Sequence, residues 1–560
     1  MRPTLLALAC AFSLSAPLAA LGQNADVKKP DAAKDEAART HAPSPTPPTA
    51  EDLHKAEVAA DVASGWASAP VAEREVVTHH QVDTASGRVL HYAATAGTLT
   101  LRDDDGKPVA SMFYVAYTLD GASPPERPVT FFYNGGPGSS SIWLHMGSLS
   151  PVRVTTANPV FIRPAPYGFG PNRETLLDAS DLVFLDAIGT GYSRALGDSK
   201  PKMFWGVDED ADAFARGVMR WVTKFDRWDS PKFLYGESYG TTRSAALVWQ
   251  LQNRGMAING VILQSSVLNY GIDQPGFDER YIGYIPTFAA AAWYHHKIPN
   301  PPATLDALLD QARAFALGPY SEALAKGSGI TPAESQQVAE QLSRLIGVSP
   351  AFIEDSNLRV EPAMFRKELL RDQRLTLGRY DSRYTGVDES AAGAIPDYDA
   401  SDKAISDAFV AAFQNYLSTE LDYHTDMEYR TTVYGMDGFK WDWKHKAPLQ
   451  QPGSYEREEQ MPDVALDLGA AMRTNPYLKV LSLNGYYDMA TPFLITEYDL
   501  SHMMVGPTEA KNVEFRYYPS GHMIYLNPKA LDQLHADLDA FYAETVESAR
   551  EGGGEPADAR

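Results

Sequence analysis

Phe233-Leu234-Tyr235-Gly236-Glu237-Ser238-Tyr239-Gly240-Thr241 joins an apolar triplet to a serine flanked two residues away on each side by glycine. The triplet reads as a strand, and Thr241 to Gln252 reads as an amphipathic helix closed by Gly255. Strand, G-x-S-x-G and helix in that order form the nucleophile elbow. The serine sits on a strained turn that lifts its hydroxyl above a sheet, and glycines are needed where a side chain would clash. The pentapeptide alone is weak evidence; its place between a strand and a helix is what confirms it.

Around this stretch the chain alternates. Val129–Tyr133, Leu182–Leu185, Val261–Gln264, Val480–Leu483 and Val513–Tyr517 read as strands. Val207, Ala211, Phe214, Val218, Trp221 and Phe225 recur at helical spacing, as do Leu531, Leu534, Leu538 and Phe541. The alternation implies an α/β fold of the α/β-hydrolase type: a mostly parallel central sheet flanked by helices. A β-hairpin precedes it, Thr98–Leu101 and Ser111–Tyr117 about the turn Asp103-Asp104-Asp105-Gly106. That Asp run lacks the spaced ligands and closing Glu of a calcium loop. Between 271 and 440 the alternation stops, and the helix-rich, irregular stretch reads as a cap inserted into the sheet. There are no internal repeats.

A serine at its ordinary pKa is a poor nucleophile and needs a base with an orienting acid. In this fold they follow in the order Ser, Asp, His, each just past a strand. Leu481 to Asp488 and Phe515 to His522 both run from strand to loop, giving Ser238, Asp488 and His522 as the catalytic triad. Gly521 frees the loop so that the imidazole reaches Ser238. His79-His80, His295-His296 and His535 read as surface or core histidines. Two backbone donors must face the developing oxyanion. One is the N–H of Tyr239; the other comes from Asn134-Gly135-Gly136-Pro137-Gly138, where paired glycines let the backbone approach the substrate. A phosphate loop is excluded there, since no Lys-Ser/Thr pair follows.

Composition bounds the rest. The 560 residues carry a formal charge of −23, against nucleic acid and anionic membranes as partners. Residues 1–22, with Arg2 before an apolar run and small residues near Gly22, read as a cleaved secretory signal. Residues 23–72 read as an Ala/Pro-rich linker, 73–270 and 441–547 as two parts of the core, and 548–560 as a tail. No later segment has the roughly 18 apolar residues of a membrane span, so a soluble secreted or periplasmic protein is expected. The one cysteine, Cys10, lies in the signal, so neither a disulfide nor a thiol nucleophile is expected in the mature chain. No Asn-x-Ser/Thr sequon occurs. No cofactor or metal is implied.

Taken together, Asn134-Gly135-Gly136-Pro137-Gly138-Ser139-Ser140-Ser141, Phe184-Leu185-Asp186, Gly189-Thr190-Gly191-Tyr192-Ser193, the elbow, Gly485-Tyr486-Tyr487-Asp488 and Gly521-His522-Met523 resemble the serine carboxypeptidase family. The resemblance implies a peptide substrate cut from its C-terminal end through an acyl-enzyme. It also implies oxyanion donors from Gly136 and Tyr239, an α-carboxylate held by Asn134 and Glu237, and a leaving-group pocket lined by Met523. Glu237 beside a substrate carboxylate is repulsive unless one is protonated, so binding favours acid pH. Two positions depart from the family pattern: Ser148 stands where many members have a second glutamate, and Ser139 where a cysteine is typical. An esterase or acyltransferase on the same triad is the alternative. An inactive fold used as a binding module is a third, which the intact Ser, Asp and His argue against.

Overall fold

The computed structural model describes residues 69–436, 438–448 and 457–552. The signal, nearly all of the linker and most of the tail expected from the sequence lie outside them.

Apolar residues recurring with period 2 build one sheet whose two faces are both buried. Its strands are β1 (Glu75–Asp83), β2 (Val89–Arg102), β3 (Pro108–Leu119), β4 (Val129–Tyr133), β5 (Asp181–Leu185), β6 (Lys232–Glu237), β7 (Gly260–Gln264), β8 (Lys479–Gly485) and β9 (Val513–Tyr518). Their order is β1-β2-β3-β5-β4-β6-β7-β8-β9, with the short Arg194–Ala195 on β3. The first three strands and the β3–β5 pairing are antiparallel. From β5 to β9 every pairing is parallel.

Alternate side chains feed two cores. Phe132, Phe184, Phe233, Tyr235, Ile262 and Leu481 face one way, against helices α1 (Ile142–Gly147) and, further along the chain, Ser406–Thr419 and Pro528–Gly552. Phe131, Val183, Leu185, Leu234, Val261 and Val480 face the other, against α2 (Val207–Lys224), α3 (Tyr239–Asn253) and the helix Ala465–Thr474. Fully buried, mostly apolar strands such as β4 and β7 follow from this double burial. The hairpin and each strand expected from the sequence are present, most of them longer by a residue or more. The structure adds β1, an edge strand whose alternating exposure carries little apolar signal.

Between β7 and β8 lie the helices that interrupt the alternation. A third core gathers Phe288, Leu308, Ile346 and Phe365 from this segment with Met489, Phe493 and Leu494 from just after β8. Packing therefore ties the insertion to the loop that bears Asp488. No helix among the described residues is long and apolar enough to cross a membrane.

Candidate active site

Every group singled out in the sequence lies just past the C-terminal end of a parallel strand, the edge at which open α/β sheets bind ligands. Asn134 follows β4, Ser238 follows β6, Asp488 follows β8 and His522 follows β9.

Ser238 has φ 61° and ψ −130°, the strained conformation that an elbow requires of its nucleophile. The turn is possible because the flanking positions lack Cβ atoms. A Cβ on Gly236 would lie 2.1 Å from the Gly240 carbonyl oxygen, and one on Gly240 would lie 2.7 Å from that of Tyr133. Glu237 and Tyr239 are buried on either side, while Ser238 keeps partial exposure. Helix α3 begins directly at Tyr239, two residues earlier than its amphipathic pattern suggests.

Asp488 and His522 are joined. The Nδ1–H of His522 donates to Asp488 Oδ2 over 2.8 Å, both side chains being almost fully buried. That bond fixes the tautomer and leaves Nε2 as the acceptor. Asp488 also receives the N–H groups of Ala490 (2.8 Å) and Thr491 (3.0 Å) and the Thr491 hydroxyl (2.6 Å). Burial pulls His522 down, but the charge and hydrogen bond of Asp488 outweigh it and hold the imidazole above its ordinary pKa. The ring is fixed from behind as well. The backbone carbonyl of His522 accepts from Ser265 Oγ at 2.7 Å, and its backbone N–H donates to the Tyr380 carbonyl at 2.7 Å. The Tyr380 ring lies against the imidazole, centroids 5.0 Å apart.

The loop after β4 meets the elbow at backbone distance. A Cβ on Gly135 would lie 2.3 Å from the Tyr239 nitrogen, so only glycine fits. Among the described residues, neither the Gly136 nor the Tyr239 N–H donates to another backbone group, and both remain available to a ligand. Arg243, buried and paired with Asp210 at 2.6 Å, donates to the Asn134 carbonyl at 2.7 Å and so braces this loop on α3.

Asn134 and Glu237 touch. Asn134 Nδ2 donates to Glu237 Oε1 at 2.7 Å, and Gln264 Nε2 donates to Oε2 at 2.7 Å. Burial, helped by the charge of Asp488, pushes the Glu237 carboxyl up to about 7 against the opposing pull of His522, the Tyr525 hydroxyl and Asn134. Ser148, by contrast, turns its hydroxyl back onto the Leu144 carbonyl in its own helical turn. Gln264, at the end of the neighbouring strand, supplies the second contact to Glu237 in its place. Met523, 7% exposed, packs into the core beneath the His522 loop.

Four contributors escape sequence reasoning. Gln264 closes the apolar run Val261-Ile262-Leu263, and a lone amide at that point was the available signal. Thr491, three residues past Asp488, fits a local side-chain turn. Arg243 is a helix residue with no local mark, and Tyr380 comes from the insertion, where nothing in the pattern points to the site.

A parallel sheet bearing an elbow serine, an Asp–His pair on later strands and open backbone donors defines the α/β-hydrolase class. Residues 88–296 match the family model for serine carboxypeptidase, a little over a third of the chain. Among curated relatives, P-(S)-hydroxymandelonitrile lyase of Sorghum bicolor is 25% identical over 212 residues, 36% of either chain. Serine carboxypeptidase-like 44 of Arabidopsis thaliana is 30% identical over 141 residues, 24% of this chain and 27% of that protein. The matches thus span roughly a third or less of these relatives' length. Among solved structures, proline iminopeptidase of Mycobacterium smegmatis is similar over 81% of this chain and 99% of its own, at 14% identity and a TM-score of 0.34. The fold class rests on the strand order, not on that likeness.

Proposed function

We propose that the protein is a serine-type carboxypeptidase that hydrolyses C-terminal peptide bonds. In this reading His522 Nε2 takes the Ser238 proton as Oγ attacks the scissile carbonyl. The N–H groups of Gly136 and Tyr239 receive the oxyanion, and the imidazolium, stabilised by Asp488, protonates the departing amine. Water, deprotonated by the same imidazole, then releases the acyl group and restores the serine. Asn134 and Glu237 hold the α-carboxylate of the substrate. Glu237 must be protonated to do so, and a carboxyl near 7 keeps its proton from acid pH up to neutrality.

The observation that carries the reading is the buried Asn134–Glu237 pair, one residue from Ser238, with Glu237 held in reach of its neutral form. Comparing a blocked dipeptide with its C-terminal amide tests it. The acid is expected to be cut at least about tenfold faster below pH 7, the worth of one charge-assisted contact; equal rates would count against carboxylate recognition.

Ester hydrolysis or acyl transfer on the same triad is favoured by one feature. Ser148 stands where many family members have a second glutamate and turns onto Leu144, so Glu237 contacts the amide of Gln264 and has no carboxyl there to share a proton with. A relative described as a hydroxymandelonitrile lyase shows that proteins of this kind differ in activity. The N-terminal signal-like sequence supports export to the periplasm or medium.

A further inference from the structure

Beside the catalytic pair lies a cavity of about 210 Å³, walled by the loop after β7, the loop after β8 and two segments of the insertion. Thr491, whose hydroxyl bonds Asp488 and lies 3.2 Å from His522 Nδ1, forms part of its wall. So does Val267, which Thr241 Oγ1 anchors while also donating to the Ser238 carbonyl. The cavity thus shares wall residues with the supports of the Asp488–His522 pair and of the elbow backbone.

Its charge is unlike that of the rest of this acidic chain. Three arginines line it, Arg280, Arg366 and Arg379, against the single carboxylate of Asp273. Asp273 is already engaged by Arg280, which also reaches Glu361 at 3.6 Å. Arg366 is only 7% exposed, and its Nε donates to the Leu377 carbonyl at 3.0 Å. Arg379 lies over the Tyr380 ring at 5.2 Å, the same ring that packs on His522. Among the described residues, neither Arg366 nor Arg379 forms an ion pair. Arg366 is held in a buried site with no carboxylate at ion-pair distance, which is unfavourable unless something else supplies the anion, whereas Arg379 is exposed at the cavity's edge with Asp399 and Asp488 in its field. A planar fork of donors matches a carboxylate in particular.

We propose that this cavity is a specificity pocket for a carboxylate side chain, so that the enzyme prefers peptides with Glu or Asp next to the scissile bond, Arg379 and Arg366 being the residues that read it. The proposal rests on the carboxypeptidase reading for its substrate, but the pocket is testable without it. Blocked peptides with Glu or Gln on either side of the scissile bond supply the first arm. Wild type should cut the Glu peptide at least about tenfold faster at one of the two positions. Arg379→Gln should bring that ratio towards one, and Arg379→Lys should restore part of it. In the second arm a fluorophosphonate reacts with Ser238 in the presence of glutarate or of uncharged glutaramide. Glutarate should slow labelling of wild type and not of Arg379→Gln, and glutaramide should do nothing. A Glu to Gln ratio at or below one at both positions overturns the proposal, as does labelling that glutarate slows equally in both proteins. A protein that is labelled but cuts no peptide would count against the carboxypeptidase reading, and the second arm would then decide the pocket alone.

Discussion

Replacing Glu237 with Gln removes one ionisable group while keeping the shape of the site. Burial raises the carboxyl to about 7, well above an ordinary glutamate. If the substrate carboxylate binds only to protonated Glu237, about one enzyme in ten is competent at pH 8 and one in a hundred at pH 9. The ratio of kcat/KM for a peptide acid to that for its amide should therefore fall about tenfold per pH unit above 7 in wild type. In Glu237→Gln the ratio should be flat from pH 6 to 9. A second effect comes from His522, which the Glu237 charge helps to raise. Without that charge the imidazole becomes neutral at lower pH, so the acid limb of the amide reaction should move down. The two groups face each other, and the limbs report the pair as a unit. The new amide sets an N–H against one of the donors of Asn134 or Gln264, so a stability loss of about 1–3 kcal/mol is expected alongside. Steady-state kinetics on the acid and amide across that range is the assay. A wild-type ratio independent of pH, or the same slope in Glu237→Gln, would refute the role assigned to this carboxyl.

Thr491→Val deletes the 2.6 Å hydroxyl bond to Asp488 and should lower kcat about tenfold with little change in KM; a normal kcat would show that the bond does not orient the pair. His445 lies between Asp208 at 2.7 Å and Asp467 at 2.9 Å. Burial opposes its charge, but the two carboxylates push the imidazole up to about 10. A raised folded pKa means that its stabilisation is complete below the ordinary histidine value and is lost as pH rises through 10. His445→Gln should cost about 3 kcal/mol by leaving buried Asp467 without its counter-charge. The stabilisation from charged His445 is complete at pH 5 and already partly lost at pH 8, so the drop in Tm should be larger at pH 5 than at pH 8. Equal drops would argue against the buried ion pair.

The elbow was legible because its chemistry is local: two glycines, a serine, and a strand and helix on either side meet within one short stretch. The same holds for the strand ends that carry Asp488 and His522, where apolar runs stop at a loop. What the sequence hides is what depends on register between strands. Gln264 reaches Glu237 only because β6 and β7 pair in parallel with those two residues opposite each other. Strand β1 is hidden for a different reason, since half its side chains face solvent and its place at the sheet edge is fixed by backbone pairing with β2. Tyr380 and the arginines of the side cavity come from the insertion, whose helices pack on the Asp488 loop through apolar contacts that no period in the sequence points toward the site.

The proposed reaction needs a nucleophile at position 238 served by the Asp488–His522 pair. Fluorophosphonate labelling followed by peptide mapping tests this most directly, read across pH in the full-length protein. The expected result is a single adduct on Ser238 whose rate rises as His522 loses its proton and collapses in His522→Ala. An adduct on another serine, or labelling of Ser238 indifferent to loss of His522, would contradict it.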